Sequence, residues 1–296
     1  VRNPTFFAEV LIGGVAAGLM YSLVALGFVL IFKASGVFNF AQGVMVLFAA
    51  LTLVGLMERG LPVPAALVVT ALVMVALAFA VERVVLRPLV NQAPIVLFMA
   101  TIGLTFFLEG FGELLWGSNV KKLDVGIPDE SVKVAGVLVN TLELTAALTA
   151  GILVAVLAVF FQKTRIGRAL RAVADDHEAA LSLGVPLKTI WVIVWGVAGL
   201  VGIVAGIMWG AKSGVQFSLS LIALKALPVL ILGGFTSVPG AIAGGLIIGV
   251  GEKTAEVYWG PLVGGAIENW FAYVVALAFL LVRPQGLFGE RIIERV

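Results

Sequence analysis

Side chains able to do chemistry are few in this chain of 296 residues, and their placement limits what the protein can be. The densest group is GRALRAVADDHEAALSLGV, residues 167–185, where Arg168, Arg171, Asp175, Asp176 and Glu178 share one short stretch with the single histidine, His177. One histidine cannot build a metal site, and the absence of cysteine removes disulfides, thiolate metal centres and thiol nucleophiles. No lysine follows a glycine, so the Gly-Lys-Ser/Thr of a phosphate-binding loop is missing. If ATP is used, another chain must hydrolyse it. No group of His, Cys or paired carboxylates marks an enzyme site either. What residues 167–185 can do is present charge to a surface. On a helical wheel Leu170, Val173, His177, Leu181 and Gly184 share one face, and the charged side chains lie largely outside it. Such a helix is too short and too charged to span a bilayer, and its mix of acids and bases suits a protein partner better than an anionic membrane.

Three further stretches carry polar groups in an apolar setting. In GVFNFAQG (36–43), Asn39 and Gln42 are three residues apart, which predicts one helix face, and Gly36 and Gly43 bracket a piece that can be irregular. Amides buried in a membrane bridge helices or line a wet path, and the spacing leaves both readings open. In GGFTSVPGA (233–241), Gly233 and Gly234 precede Thr236, Ser237 and Pro239. This reads either as a capped helix start facing an anionic group or as an ordinary turn. Glu109 and Glu113 lie one turn apart, and with Trp116, Lys121, Lys122, Asp124, Asp129, Glu130 and Lys133 they form a candidate rim for a docking protein. The plainer reading is solvated surface charge, since exposed ion pairs contribute little.

The elements that must hold these residues follow from composition. The chain is 61% hydrophobic and 12% charged, against about 45–50% and 25% for soluble domains. It is therefore a membrane protein, and its apolar runs predict helices, because open strands cannot satisfy their backbone in lipid. Spans are expected near 6–32, 37–57, 63–86, 94–115, 142–161, 189–211, 217–234, 239–258 and 265–282. The pair at 217–258, with Pro228 and the GGFTSVPG turn, reads equally as a re-entrant hairpin. The first run is too long for a signal peptide and lacks a basic leader beyond Arg2. The expected fold is an all-α polytopic bundle of about eight or nine spans, one domain over 1–296. It carries an outer loop at 116–141 and a cytoplasmic helix at about 167–185.

With the N-terminus outside, eleven lysines and arginines fall in inner loops, including Lys163, Arg165, Arg168, Arg171, Arg291 and Arg295, against seven in outer loops. That bias puts residues 167–185 and the C-terminus in the cytoplasm. A net charge of +2 with scattered basic residues leaves no nucleic-acid footprint. Glycines four apart (Gly14 and Gly18, Gly202 and Gly206, Gly206 and Gly210, Gly240 and Gly244, Gly245 and Gly249) predict close helix packing. VKVAGVLVN (132–140) alternates enough for a short strand or hairpin. KASGVFNF (33–40) and AKSGVQFS (211–218) follow oppositely directed spans and hint at an inverted repeat.

EAALSLG (178–184) resembles the Glu-Ala-Ala, three residues, Gly loop of ABC-importer membrane subunits, without the Ile-x-Leu-Pro that often closes it. Together, GVFNFAQG, RAVADDHEAALSLGV (171–185), ILGGFTSVPGAIAGG (231–245) and RPQGLFG (283–289) resemble the inner-membrane permeases of the branched-chain amino acid ABC importer family, LivH type. Gln42 stands where that family often has histidine, and His177 where it often has proline. The resemblance implies a bacterial or archaeal inner-membrane permease and no enzyme. Its partners would be a second homologous permease (LivM type) or itself, two ATPase subunits holding ATP and Mg, and a periplasmic binding protein. No cofactor is implied in this chain. It also implies that Arg168, Arg171, Asp175, Asp176, Glu178, Ala179, Ala180 and Gly184 couple to the ATPase. Asn39, Gln42, Gly43, Gly233, Gly234, Thr236 and Ser237 are then candidates for the substrate pathway, and Glu109, Glu113, Lys121, Lys122, Asp129 and Glu130 for binding-protein docking. Closely similar permeases carry urea or short amides, so the cargo stays open between these. A rival class, an ion-coupled secondary transporter or channel, keeps ionisable groups deep in its spans. Here the acids Glu9, Glu82, Glu109 and Glu252 are expected near span ends, with Lys225 the only deep charge.

Overall fold

The computed structural model describes residues 3–90 and 92–289, with the side chain of His177 left aside, and shows an all-helical membrane protein with one small hairpin. Arg2, Arg291 and Arg295, which entered the charge count, lie outside the described residues. Among the described residues, five helices are long and apolar enough to cross a bilayer: α1 (Pro4–Ser35), the run Val63–Leu89 that begins with α3 (Val63–Ala80), α4 (Pro94–Trp116), α5 (Thr141–Lys163) and α8 (Leu187–Ser213). A sixth candidate is a bent pair made of α9 (Ile222–Gly233), extended at its start by a 3-10 turn from Phe217, and α10 (Val238–Val263). Between them the chain turns through 114°. Two shorter apolar helices are α2 (Gln42–Glu58) and α11 (Phe271–Val282). The remaining helices, α6 (Arg165–Asp175) and α7 (His177–Ser182), occupy the charged stretch, and β1 (Ser131–Val134) pairs antiparallel with β2 (Val137–Asn140).

Two expected spans begin later than their apolar runs suggest. Gly36, at φ +68°, ends α1, and residues 36–41 are irregular, so the second helix starts at Gln42 rather than 37. Gly264 and Gly265, at φ +92° and +84°, end α10, and a 3-10 turn at Ile267–Asn269 delays α11 to Phe271. Glycine adopts this left-handed backbone without a Cβ clash, which makes it a natural helix stop.

The chain forms two compact units, each discontinuous in sequence. One comprises residues 30–125 and 157–223. Its centre is α2, in which every residue from Gln42 to Gly55 is buried. A helix apolar on all sides belongs inside, and neighbours cover this one closely. A Cβ on Gly206 of α8 would lie 2.8 Å from the Val46 carbonyl oxygen, and the Trp116 ring fills the place where a side chain on Gly55 would stand. The outer faces of α3 and α4 show the reverse pattern, with Val68, Leu72, Phe106 and Phe107 all more than half exposed. A soluble protein rarely displays such a contiguous apolar surface, whereas hydrocarbon accepts it.

The other unit comprises residues 1–29, 126–156 and 224–296. Here α1 and α10 meet along a glycine seam. A Cβ on Gly14 would sit 2.7 Å from the Val250 Cα, and one on Gly18 would sit 2.7 Å from the Gly245 carbonyl oxygen. Gly249 faces Gly18 and Gly14 in return, so the backbones touch directly. Ser22 donates to the Gly18 carbonyl at 2.8 Å and also reaches the Ile242 carbonyl at 3.3 Å.

Candidate functional site

The charged stretch is built as two short helices rather than one. Thr164 alone separates α5 from α6, and its hydroxyl accepts from the Gly167 N–H at 3.1 Å while donating to the Phe160 carbonyl at 2.6 Å. Gly167 is required at this corner, because a Cβ there would overlap the Phe161 backbone. Arg171 reaches back to donate to the Phe161 and Gln162 carbonyls at 2.9 and 3.1 Å. The guanidinium thus satisfies carbonyls that α5 leaves open at its end.

At Asp176 the backbone is extended, which stops α6 and starts α7. Its carboxylate accepts from the Ala179 N–H at 2.9 Å, an N-cap. Asp therefore competes with the helix for its own backbone, and the single wheel over 167–185 is broken there. Leu170 and Val173 of α6 are buried, as the wheel requires, but Leu181 is half exposed and Leu183 is 83% exposed. The far end closes with Gly184 at φ +79°, whose N–H bonds to the Leu181 carbonyl while Val185 N–H bonds to the Ala180 carbonyl. This paired closure satisfies the last carbonyls of α7. Arg168, Asp175, Asp176, Glu178, Ala179 and Gly184 are exposed, whereas Ala180 is buried and Arg171 is half-buried by its clasp. The Trp191 indole of α8 then donates to the Ala34 carbonyl at 2.9 Å, fixing the start of that span to the end of α1.

The other expected residues divide between the two units. Asn39 lies in the irregular segment before α2, so it does not share a helix face with Gln42, although both are fully buried. The Asn39 side chain accepts from Ala41 N–H at 3.0 Å, an ordering of the turn that precedes α2. Gln42 donates to the Ala198 carbonyl at 3.2 Å, and its Oε1 is buried without a hydrogen-bond partner. A side chain on Gly43 would overlap the Ser220 carbonyl, so this glycine admits the 3-10 turn beside α2.

Gly233, Gly234, Thr236 and Ser237 make the elbow between α9 and α10. Ser237 caps α10 by accepting from Gly240 N–H at 3.0 Å, and Thr236 stands half-buried beside it. Gly233 and Gly240 face each other so closely that a Cβ on either would overlap the other's carbonyl. The RPQGLFG segment closes the outside of this elbow. Leu287 and Phe288 donate their N–H groups to the Leu232 and Gly233 carbonyls at 2.7 and 3.2 Å, and Gly286 lies against Gly234. The sequence marked both motifs but not their meeting, since nothing local records a contact across some fifty residues of chain.

The expected docking residues are partly structural. Lys121 pairs with Glu58 at 2.6 Å and exchanges backbone hydrogen bonds with Val215, while Arg59 stacks over Trp116. Glu113 and Lys122 are exposed and Glu109 is half-buried in the same unit. Asp129 accepts from Asn140 at 2.6 Å and the Glu130 carbonyl accepts from Thr141, both holding the entry to α5 in the other unit. The hairpin at 131–140 has its pairing where alternation predicted one.

Lys225 is not a lone deep charge. It pairs with Glu252 at 3.0 Å, and Glu252, 3% exposed, also accepts from the Tyr21 hydroxyl at 3.0 Å. Lys225 further donates to the Glu268 carbonyl, and the Glu268 carboxylate pairs with Lys253 at 2.7 Å. Glu252 thus sits well inside its unit rather than at a span end, and its charge is matched as an apolar surrounding demands.

Apolar helices with lipid-type outer faces, glycine seams and a capped, charged helix pair inserted between two spans define a polytopic membrane permease. The chain belongs to the family described as branched-chain amino acid transport system / permease component, which matches residues 10–283. It is 27% identical to the high-affinity branched-chain amino acid transport system permease protein LivH of Salmonella typhimurium, over 98% of each chain. It is 28% identical to BraD of Pseudomonas aeruginosa, a permease protein of the same description, again over 98% of each. Among solved structures, PsaBC from Streptococcus pneumoniae in complex with Fab is similar at TM-score 0.48 and 14% identity, covering 91% of this chain and 89% of that one.

Proposed function

We propose that this chain is the membrane-spanning subunit through which an ATP-driven importer moves branched-chain amino acids, and that α6 and α7 form the surface on which separate ATPase subunits act. The observation that carries the reading is α7. It is closed at both ends by its own residues, joined to two spans without slack, and still leaves Leu181 and Leu183 exposed beside Glu178. Apolar side chains on a rigid charged element are what a protein cleft can take up, and the helix pays no ordering cost when it docks. LivH and BraD support the cargo class by their names.

In this assembly ATP and Mg are held by the ATPase pair, a second homologous permease or another copy completes the conduit, and a periplasmic binding protein delivers cargo. The binding protein supplies selectivity, so contacts in the conduit are weak. The buried, unpartnered Gln42 Oε1 supports placing the Asn39 to Gly43 segment along the pathway, where an acceptor can meet a passing ammonium. The excess of Lys and Arg in alternate loops supports an inner-membrane location with α7 in the cytoplasm.

The test is the double substitution Glu178→Arg with Gly184→Val, which reverses an exposed charge and strains a φ of +79°. The variant is expected to insert normally and to lose uptake of labelled leucine by roughly tenfold or more, the scale of an allosteric coupling energy. ATP hydrolysis by the co-purified subunits should then no longer respond to loaded binding protein. Normal uptake by the variant overturns the reading.

A further inference from the structure

The ion-paired cluster around Glu252 has hydrogen-bonding capacity that the fold leaves unfilled. It lies wholly within the unit that holds the α1 and α10 seam, and it joins Tyr21 of α1, Lys225 of α9, Glu252 of α10 and Glu268 of the loop 264–270. Glu252 Oε1 takes both hydrogen bonds, from the Tyr21 hydroxyl and the Lys225 ammonium, each at 3.0 Å. Its Oε2 is buried with no hydrogen-bond partner among the described residues. A lysine ammonium has three donors, and Lys225 uses two among the described residues, on Glu252 Oε1 and on the Glu268 carbonyl. One acceptor and one donor are thus left open on two groups already in contact. Leaving a buried acceptor bare costs free energy that only a donor can restore.

The surroundings show how this pair is reached and what covers it. Side-chain exposure falls from 36% at Glu268 to 24% at Lys225 and 4% at Glu252, so the approach is from the loop, past Lys225. In that loop Gly264, Gly265 and Ala266 follow one another at φ +92°, +84° and +61°. An alanine holds this left-handed backbone only where its surroundings impose it. Glu256 imposes it, its two carboxylate oxygens accepting from the Ala266 and Glu268 N–H groups at 3.2 and 3.0 Å. Lys225 grips the same loop through the Glu268 carbonyl, so one ammonium serves both the pair and its cover.

We infer that Lys225 and Glu252 form a subsite for the zwitterion of an α-amino acid, with the loop 264–270 as its cover. The cargo ammonium donates to Glu252 Oε2, and the cargo carboxylate accepts from the open Lys225 N–H. Reaching Oε2 requires the cover to lift, which breaks the bond from Lys225 to the Glu268 carbonyl and turns a second N–H toward the cargo. An amino acid carries its cation and its anion on a single carbon, the complement of an ammonium and a carboxylate in contact. A ligand with only one of the two leaves a partner unmatched and adds net charge to a buried site. The inference rests on the transport reading for the identity of the cargo, and adds a place where its backbone groups, rather than its side chain, are read.

The test uses the full chain purified in lipid nanodiscs with its co-expressed partner subunits, without binding protein or ATP. Saturation-transfer NMR compares L-leucine with leucinol, which keeps the ammonium alone, and isocaproate, which keeps the carboxylate alone. L-leucine is expected to bind about tenfold more tightly than either half, the worth of one hydrogen bond to a charged group. Hydrogen exchange at residues 264–270 should rise on adding L-leucine and not on adding either half, a response that a merely structural ion pair would not give. In Lys225→Gln with Glu252→Gln, a neutral pair that can still hydrogen-bond, both the preference and the exchange response should disappear. Equal binding of L-leucine and either half overturns the proposal, and the wild-type chain decides that whether or not the variant folds. A preference that survives in the double variant overturns it too, as does exchange at 264–270 that L-leucine leaves unchanged. Uptake from the loaded binding protein tests the transport reading separately. A chain that imports leucine but fails these measurements loses only the subsite, and one that binds the zwitterion here but imports nothing loses only the transport reading.

Discussion

The chain interrupts its helices at two notable places and treats the openings in opposite ways. At the α9 to α10 elbow the exposed carbonyls of Leu232 and Gly233 are taken up by Leu287 and Phe288, and glycine meets glycine at Gly233 and Gly240. At the α6 to α7 break Asp176 caps the next helix, yet Leu181 and Leu183 are left uncovered. Both breaks satisfy their backbone, as any break near a membrane must. The first is also closed by a distant segment of its own unit, which half-buries Leu287 although Phe288 stays 55% exposed. A break closed by a distant segment of its own chain reads as architecture, and one capped by its own neighbouring residues is where the proposed ATPase contact falls.

Substitutions at the two breaks should therefore separate folding from coupling. The largest effect is expected from Gly240→Val, whose Cβ would overlap the Gly233 carbonyl. Overpacking of that severity costs about 3 kcal/mol, and the yield of monodisperse detergent-solubilised protein should fall accordingly. Next comes Leu287→Pro, which removes the N–H that bonds to the Leu232 carbonyl. Leaving that buried acceptor open costs about 1–3 kcal/mol, which limited proteolysis near residues 232–238 should register. Asp176→Ala deletes the α7 cap, worth about 1 kcal/mol. It should raise hydrogen exchange at residues 177–182 and lower uptake while leaving the melting of the whole chain almost unchanged. The smallest effect on folding is expected for Leu183→Ala, within about 0.5 kcal/mol. Retention of the ATPase subunits through purification should nevertheless drop. If Leu183→Ala destabilised the chain more than Leu287→Pro, the contrast between the two breaks would be wrong.

Much of this was legible in the sequence because it rests on short-range rules. Apolar runs announced the spans and glycines four apart announced close helix packing without naming the partners, while Thr-Ser before Pro239 read equally as a capped helix start or a turn, of which the structure shows the cap. Four features were not legible. The break at Asp176 is a contest between helix propagation and a local cap, and periodicity alone continued the wheel through it. The same limit put Asn39 on a helix that begins three residues later at Gln42, since the irregular stop at Gly36 carries no apolar signature. The ion pair of Lys225 with Glu252, and the docking of residues 285–289 on the elbow, depend on contacts between distant segments. No pattern within either segment encodes them. The membership of the family was legible from four motifs together, and what those motifs do in space needed the coordinates.

The junctions flanking the charged pair leave little spare chain. One residue, Thr164, joins α5 to α6, and four residues, Leu183 to Pro186, join α7 to α8. Arg171 removes even the swivel at Thr164 by gripping the two carbonyls behind it. Any push delivered at α7 consequently has no flexible tether in which to dissipate, and must appear as tilt or twist of the two attached membrane rods.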